Sequence, residues 1–214
     1  MKMKPSVLKR SFIYICGLFF IAVGVSVSVN ANLGISPVNS LPYVLSASTG
    51  IPMSSCVIGV FFVFILLQIF ILRKAFRWIN LTQIIFSTVF GYFVDLTNWF
   101  IGDLRIPTYA GSLLMLTISV FLIAFGIMLY IRAELVPMPM EGLALAITQK
   151  TGRPFPAIKT ALDCTVVALG AMLSLIFLGS LVGIREGTVI STIVIGPIIT
   201  FLRKYCFSTS KKDT

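Results

Sequence analysis

The chain has only seven acidic residues, and four of them stand where acids are expensive. Asp95, Glu134, Glu141 and Asp163 fall inside or beside long apolar stretches. Ionisable groups at membrane depth are costly, so each is a candidate for function. Lys159 precedes Asp163 by four residues, the spacing at which two side chains meet on one helix face. That pair reads either as a structural ion pair facing the bundle or as part of a site. Asn39 and Glu141 each stand two residues after a proline, Pro37 and Pro139, and are the leading ligand candidates. Glu141 also reads as a partner for the helix dipole in a first turn. Ser36 and Met138 flank the same prolines, so the candidate substrate-binding set is Ser36, Asn39, Met138, Glu141, Lys159 and Asp163. Asp95, with Asn98 one turn away, also reads as an acid solvated at the interface.

This is chemistry for holding a solute rather than for breaking bonds. The chain has no histidine, which removes Ser-His-Asp and Cys-His catalysis, imidazole metal ligation and a histidine proton relay. It has no H-E-x-x-H motif and no phosphate-binding G-x-x-x-x-G-K-[ST] loop. Cys16, Cys56, Cys164 and Cys206 form no C-x-x-C pair, and three of them lie in apolar stretches, where cysteine behaves as a small hydrophobe. No catalytic residue, no cofactor and no metal is expected.

The elements that position these residues follow from composition. Hydrophobic residues make up 57% of the chain, charged residues 11%, and the mean hydropathy is +1.02. A water-facing surface needs roughly 25% charged residues. The expected solvent is therefore the lipid bilayer, and the expected class is an all-α integral membrane protein forming a single membrane domain. A helix needs about 20 apolar residues to cross. Six stretches fit: 11–30, 53–72, 81–100, 109–131, 157–179 and 187–202, the last being the shortest and containing Pro197. The first is too long for a typical signal-peptide core and reads as an uncleaved span.

The net charge of +10 does not indicate nucleic acid, because the charges gather at segment ends. With the N-terminus in the cytoplasm, fifteen Lys and Arg residues fall inside and only Arg105 and Arg185 outside. The positive-inside rule selects that orientation, with both termini cytoplasmic.

A shift of 102 positions lays Gly17–Pro52 over residues 119–154 with 11 identities in 36 positions, including Pro37 on Pro139 and Thr49-Gly50-x-Pro52 on Thr151-Gly152-x-Pro154. A shift of 105 lays Ser87–Gly91 on Thr192–Gly196. The repeats run from about 11 to 100 and from about 109 to 204, and a tail covers 205–214. Each repeat holds three spans, an odd number, so the second enters from the opposite side. Such inverted repeats recur in secondary transporters, which bind at the midplane. Retention for packing alone is the other reading.

Within each repeat lies a helix too short to cross. Ser36-Pro37 and Met138-Pro139 read as its start, and Gly50 and Gly152 as its C-terminal cap. These helices are either re-entrant, with their N-termini converging at mid-depth, or amphipathic and flat in the interfaces. The small residues Gly24, Ser28, Gly126, Gly170 and Ser174 read as points of close helix approach.

The Gly17–Gly24 run, Ala31-Asn32-Leu33-Gly34-Ile35-Ser36-Pro37, the Thr49-Gly50 turn and the Gly187–Pro197 span give the chain its resemblance. It resembles the bacterial YczE/YyaS/YitT family of small membrane proteins over roughly residues 12–204. The resemblance implies a bacterial inner or plasma membrane. In the second copy the Leu-Gly-x-Ser-Pro element becomes Leu135-Val136-Pro137-Met138-Pro139. The expected function is a small-solute transporter or permease for a molecule or ion. Two alternatives stay open: a substrate-binding subunit of a larger transporter, or a scaffold or accessory protein with no solute. A second copy of the chain or a partner subunit also stays open.

Overall fold

The computed structural model describes residues 7–207. Lys2, Lys4, Lys211 and Lys212, counted in the orientation argument, and most of the 205–214 tail lie outside the described residues. Eight α-helices account for nearly all of the described chain: α1 Val7–Ala31, α2 Pro37–Thr49, α3 Met53–Leu72, α4 Thr82–Ile101, α5 Tyr109–Arg132, α6 Pro139–Thr151, α7 Phe155–Leu178 and α8 Glu186–Phe207. Five of them, α1, α3, α4, α5 and α7, are long and apolar enough to cross a membrane. The sixth expected span, 187–202, lies within α8, whose apolar part Glu186–Leu202 is shorter.

Cap chemistry sets the short helices. Pro37 and Pro139 occupy the first turns, where a missing N–H costs nothing. Gly50 and Gly152 close the far ends at φ 72° and 71°, left-handed positions that disfavour a side chain. Pro42 lies inside α2 without ending it. Both helices are buried in their N-terminal parts and exposed at Gly50 and Gly152.

Lipid tails are as apolar as leucine, so helices in a bilayer associate through close packing and hydrogen bonds. The most extensive pair is α1 with α5. A Cβ on Gly126 would stand 2.5 Å from the Gly17 carbonyl oxygen. A Cβ on Gly24 would stand 2.9 Å from the Ser119 carbonyl oxygen. Adding 102 to Gly17 gives Ser119, and adding 102 to Gly24 gives Gly126, so each contact is the other with the halves exchanged. The same exchange turns the α2–α7 contact into α6–α3 and the α1–α4 contact into α5–α8.

The irregular segment ahead of α2 is buried except at Asn32, the one ahead of α6 is partly buried, and several backbone groups in each are bonded. In the first, Arg185 Nη1 donates to Asn32 O at 2.9 Å, the Gly187 N–H to Leu33 O at 2.7 Å and the Ser28 hydroxyl to Gly34 O at 3.0 Å. The Ile35 N–H donates to Gly183 O at 3.0 Å. Gly34 must be glycine, since a Cβ there would lie 2.6 Å from Thr188 Oγ1 at φ +112°. In the second, Arg10 donates to Ala133 O at 2.7 Å and to Glu134 O, and the Tyr14 hydroxyl donates to Val136 O at 3.1 Å. Asn32 and Glu134, 102 positions apart, both have positive φ.

The exchange breaks at one place. α3 packs on α4, where Asp95 accepts from the Ser54 N–H at 3.0 Å and from the Ser54 hydroxyl. Asp95 thereby caps the start of α3 from the neighbouring helix, a structural role in place of interfacial solvation. α7 and α8, the corresponding pair, scarcely touch. Pro156 and Thr200 stand where the clasp would be, and the Thr200 hydroxyl turns back to Gly196 O at 3.1 Å. A Cβ on Gly91 would lie 3.1 Å from Ser54 O, whereas one on Gly196 would meet nothing within 4 Å.

Candidate functional site

The start of α2, the start of α6 and one face of α7 border a cavity of about 410 Å³. All six candidates line it: Ser36 and Asn39 from α2, Met138 and Glu141 from α6, Lys159 and Asp163 from α7. α5 and α8 contribute most of the remaining wall, with Ile21 of α1, Phe61 of α3 and Phe90 of α4 completing it.

Ser36 stands at the N-cap position of α2, but its side chain makes no capping bond to the backbone. Its hydroxyl instead accepts from Asn39 Nδ2 at 2.9 Å, and its carbonyl accepts from the Asn39 N–H at 3.0 Å. This fixes the Asn39 amide and leaves Oδ1 buried with no partner. Glu141 Oε2 is likewise buried and unpartnered. Buried acceptors are almost always bonded, so two on one cavity call for donors from a bound molecule or water. Lys159 Nζ lies 2.5 Å from Asp163 Oδ1, an i,i+4 ion pair on α7.

The rest of the wall is apolar. Phe61 and Phe90 stack there with centroids 6.1 Å apart and planes 8° apart. The exposed lining residues are Ile131, Pro156, Thr160 and Gly196, three of them on α7 and α8. The mouth therefore lies at the gap between those two helices.

The other acids lie elsewhere. Asp95 is held in its clasp, and the Glu134 side chain is 78% exposed beside Arg10. Glu186, expected in a loop, opens α8 and pairs with Arg185 at 3.2 Å. Cys16, Cys56 and Cys164 are free, and among the described residues no acid or cysteine cluster could hold a metal ion.

One supporting group escaped the sequence reading. Gln68 and Gln83 exchange amide bonds at 3.1 and 3.3 Å, and Gln68 Nε2 also donates to Pro139 O at 3.0 Å. Each is 1% exposed. The pair pins the start of α6, and Gly142 makes room for it, since a Cβ there would stand 2.7 Å from Gln68 Oε1. An uncharged amide deep in an apolar helix was the available signal.

Residues 8–204 match the family of unknown function DUF6198, a match that runs through all eight helices. The chain belongs to this family. The uncharacterized membrane protein YczE of Bacillus subtilis (strain 168) is 28% identical over 204 residues, which cover 93% of this chain and 87% of that protein. The likeness to the YczE family therefore holds over nearly the whole sequence, and DUF6198 membership accords with a membrane protein of apolar helices. No solved structure matches the chain.

Proposed function

We propose that this protein is a small-solute transporter or permease, with its site in the cavity between two inverted repeats. The observation that carries this is the meeting of two short-helix N-termini on one cavity that holds two buried, unpartnered acceptors. The exchanged contacts of α1 with α5, and of α2–α7 with α3–α6, support a pseudo-twofold axis in the membrane plane. In this reading α8 is the sixth span, and α2 and α6 are re-entrant half-helices. Bonded carbonyls in the segments before them meet the requirement that irregular backbone within a bilayer be enclosed by protein. No covalent chemistry is part of the reading.

Flux into proteoliposomes against a panel of small organic ions and neutral solutes tests it. Purified protein is expected to move at least one solute faster than empty vesicles. Glu141→Gln should reduce that flux roughly tenfold or more, because a hydrogen bond to a charged group contributes about 1.5–3 kcal/mol. Glu186→Gln, at the start of α8 and outside the cavity lining, should leave it unchanged. A panel on which the protein never exceeds empty vesicles would end the transport reading.

Orientation has its own test. A cysteine at Leu104, in a chain freed of its native cysteines, is expected to react with an impermeant maleimide added outside the cell. Reaction only from the cytoplasmic side would reverse the proposed topology.

A further inference from the structure

We infer that the cavity takes an organic monocation, a primary amine or guanidinium carried on an apolar body, which reaches it through the gap between α7 and α8. This rests on the cavity being the solute site proposed above, and it names the class of solute.

The first argument is charge. Glu141, Lys159 and Asp163 are the charged residues among those lining the cavity. Lys159 and Asp163 satisfy one another at 2.5 Å. Glu141 has no cation in contact, and the nearby Lys159 ammonium that acts on it is already bonded to Asp163. Its place in the first turn of α6 answers part of that charge through the helix dipole, worth about half an elementary charge. The α2 start offers less to an anion, because the Asn39 N–H is already taken by Ser36 O.

The second argument is hydrogen-bond polarity. Both orphaned atoms, Asn39 Oδ1 and Glu141 Oε2, are acceptors. An anion would add further acceptors beside them, and a neutral apolar solute would leave them unmet. An ammonium brings three donors and a guanidinium five, enough for both acceptors, and either carries the charge that neutralises a carboxylate.

The third argument is the body of the ligand. The remaining lining is largely aliphatic and aromatic, with Phe61, Phe90, Tyr130 and Phe155 among it. Aromatic faces attract a cation that has left water. About 410 Å³ falls in the range of pockets for small organic ligands, roughly 300–1,000 Å³. A bare metal ion would leave most of this space empty.

The fourth is the route. The gap exists because the Ser54–Asp95 clasp has no counterpart between α7 and α8, and because Gly196 faces open space. Both helices carry exposed apolar side chains along their length, including Leu169, Met172, Val189 and Ile193. An amphipathic amine partitions into such surroundings and meets the mouth sideways.

The test uses the full chain in detergent, with 4-phenylbutylamine, 4-phenylbutyrate and 4-phenylbutanol in equilibrium dialysis at neutral pH. The three probes share a body and differ in the head, and dialysis against protein-free micelles subtracts the partition of each. The amine is expected to bind saturably and at least tenfold more tightly than the acid or the alcohol. Glu141→Gln should weaken the amine at least tenfold and leave the alcohol unchanged, with the same unfolding temperature in the absence of ligand. If that variant does not fold, Asn39→Leu removes the second acceptor and should weaken the amine several-fold. Gly196→Phe, which has room for the ring, should slow amine association measured by rapid mixing. An unchanged rate in that variant overturns the route.

Acid bound as tightly as amine, or amine bound equally by wild type and Glu141→Gln, overturns the cation class. Saturable, Glu141-dependent amine binding without flux of any amine keeps this inference and ends the transport reading. Flux confined to an anion or a neutral solute does the reverse.

Discussion

Gly126→Leu is expected to yield almost no folded protein. A Cβ at that position would stand 2.5 Å from the Gly17 carbonyl oxygen and 2.8 Å from the Ile21 nitrogen, both backbone atoms. Backbone cannot rotate away as a side chain can, so α1 and α5 would have to separate along the largest helix contact in the protein. Overfilling a packed interior costs about 1–3 kcal/mol when side chains can yield, and the loss here should reach or pass the top of that range. Gly196→Leu is the matched control, because a Cβ there meets nothing within 4 Å. Size-exclusion profiles and thermal unfolding in detergent would show the contrast. An unfolding temperature for Gly126→Leu within about 2 °C of wild type would mean that the helices do not cross at these glycines.

Lys159→Met should also be strongly destabilising, and pairing it with Asp163→Leu should restore most of the loss. Removing one member of a buried ion pair costs about 3–5 kcal/mol, because the other is left charged and alone. The two side chains retain 22% and 12% exposure, which places the expected loss near the lower end, about 3 kcal/mol. Asp163→Leu alone should cost less, since a lysine can extend its ammonium toward water along its own stem. Unfolding of the two single variants and the double variant gives the coupling directly. Additive effects would show that the 2.5 Å contact contributes nothing to the fold.

Much of this architecture can be read from local chemistry. Pro37 and Pro139 cannot continue a helix backward, and Gly50 and Gly152 can take the left-handed turn that ends one, so the short helices begin and end where those residues stand. Met53–Leu72 is bounded by Pro52 and Arg73 and is equally legible. The two short-helix starts and Lys159–Asp163 line one cavity, and the proline offset and i,i+4 spacing that single them out are visible in the chain itself. Features made by distant partners were not legible. Nothing near Gln68 announces Gln83, and nothing near Asp95 announces that its carboxylate will cap α3. Ser36 has the side chain of an N-cap, but its hydroxyl accepts from the Asn39 amide rather than from the backbone. The gap between α7 and α8 reflects a missing clasp, which shows only when the two halves are laid side by side.

The arginines that bind the irregular segments impose an order in time. Arg10 reaches Glu134 across 124 residues, and Asn32 receives Arg185 across 153. Synthesis proceeds at about 5–20 residues per second. Arg10 therefore exists for roughly 6–25 s before its acceptor has been made. Asn32 waits longer still for its donor. A chain made only through α4 holds the segments of α1, α3 and α4 but lacks Arg185 and Gly187, the donors to Asn32 and Leu33. A nascent chain stalled after α4 is thus a distinct species, with polar backbone awaiting the second half. It is the form that a membrane protease or an insertase would meet, and mutations that slow synthesis between residues 102 and 185 would lengthen its life without changing the finished protein.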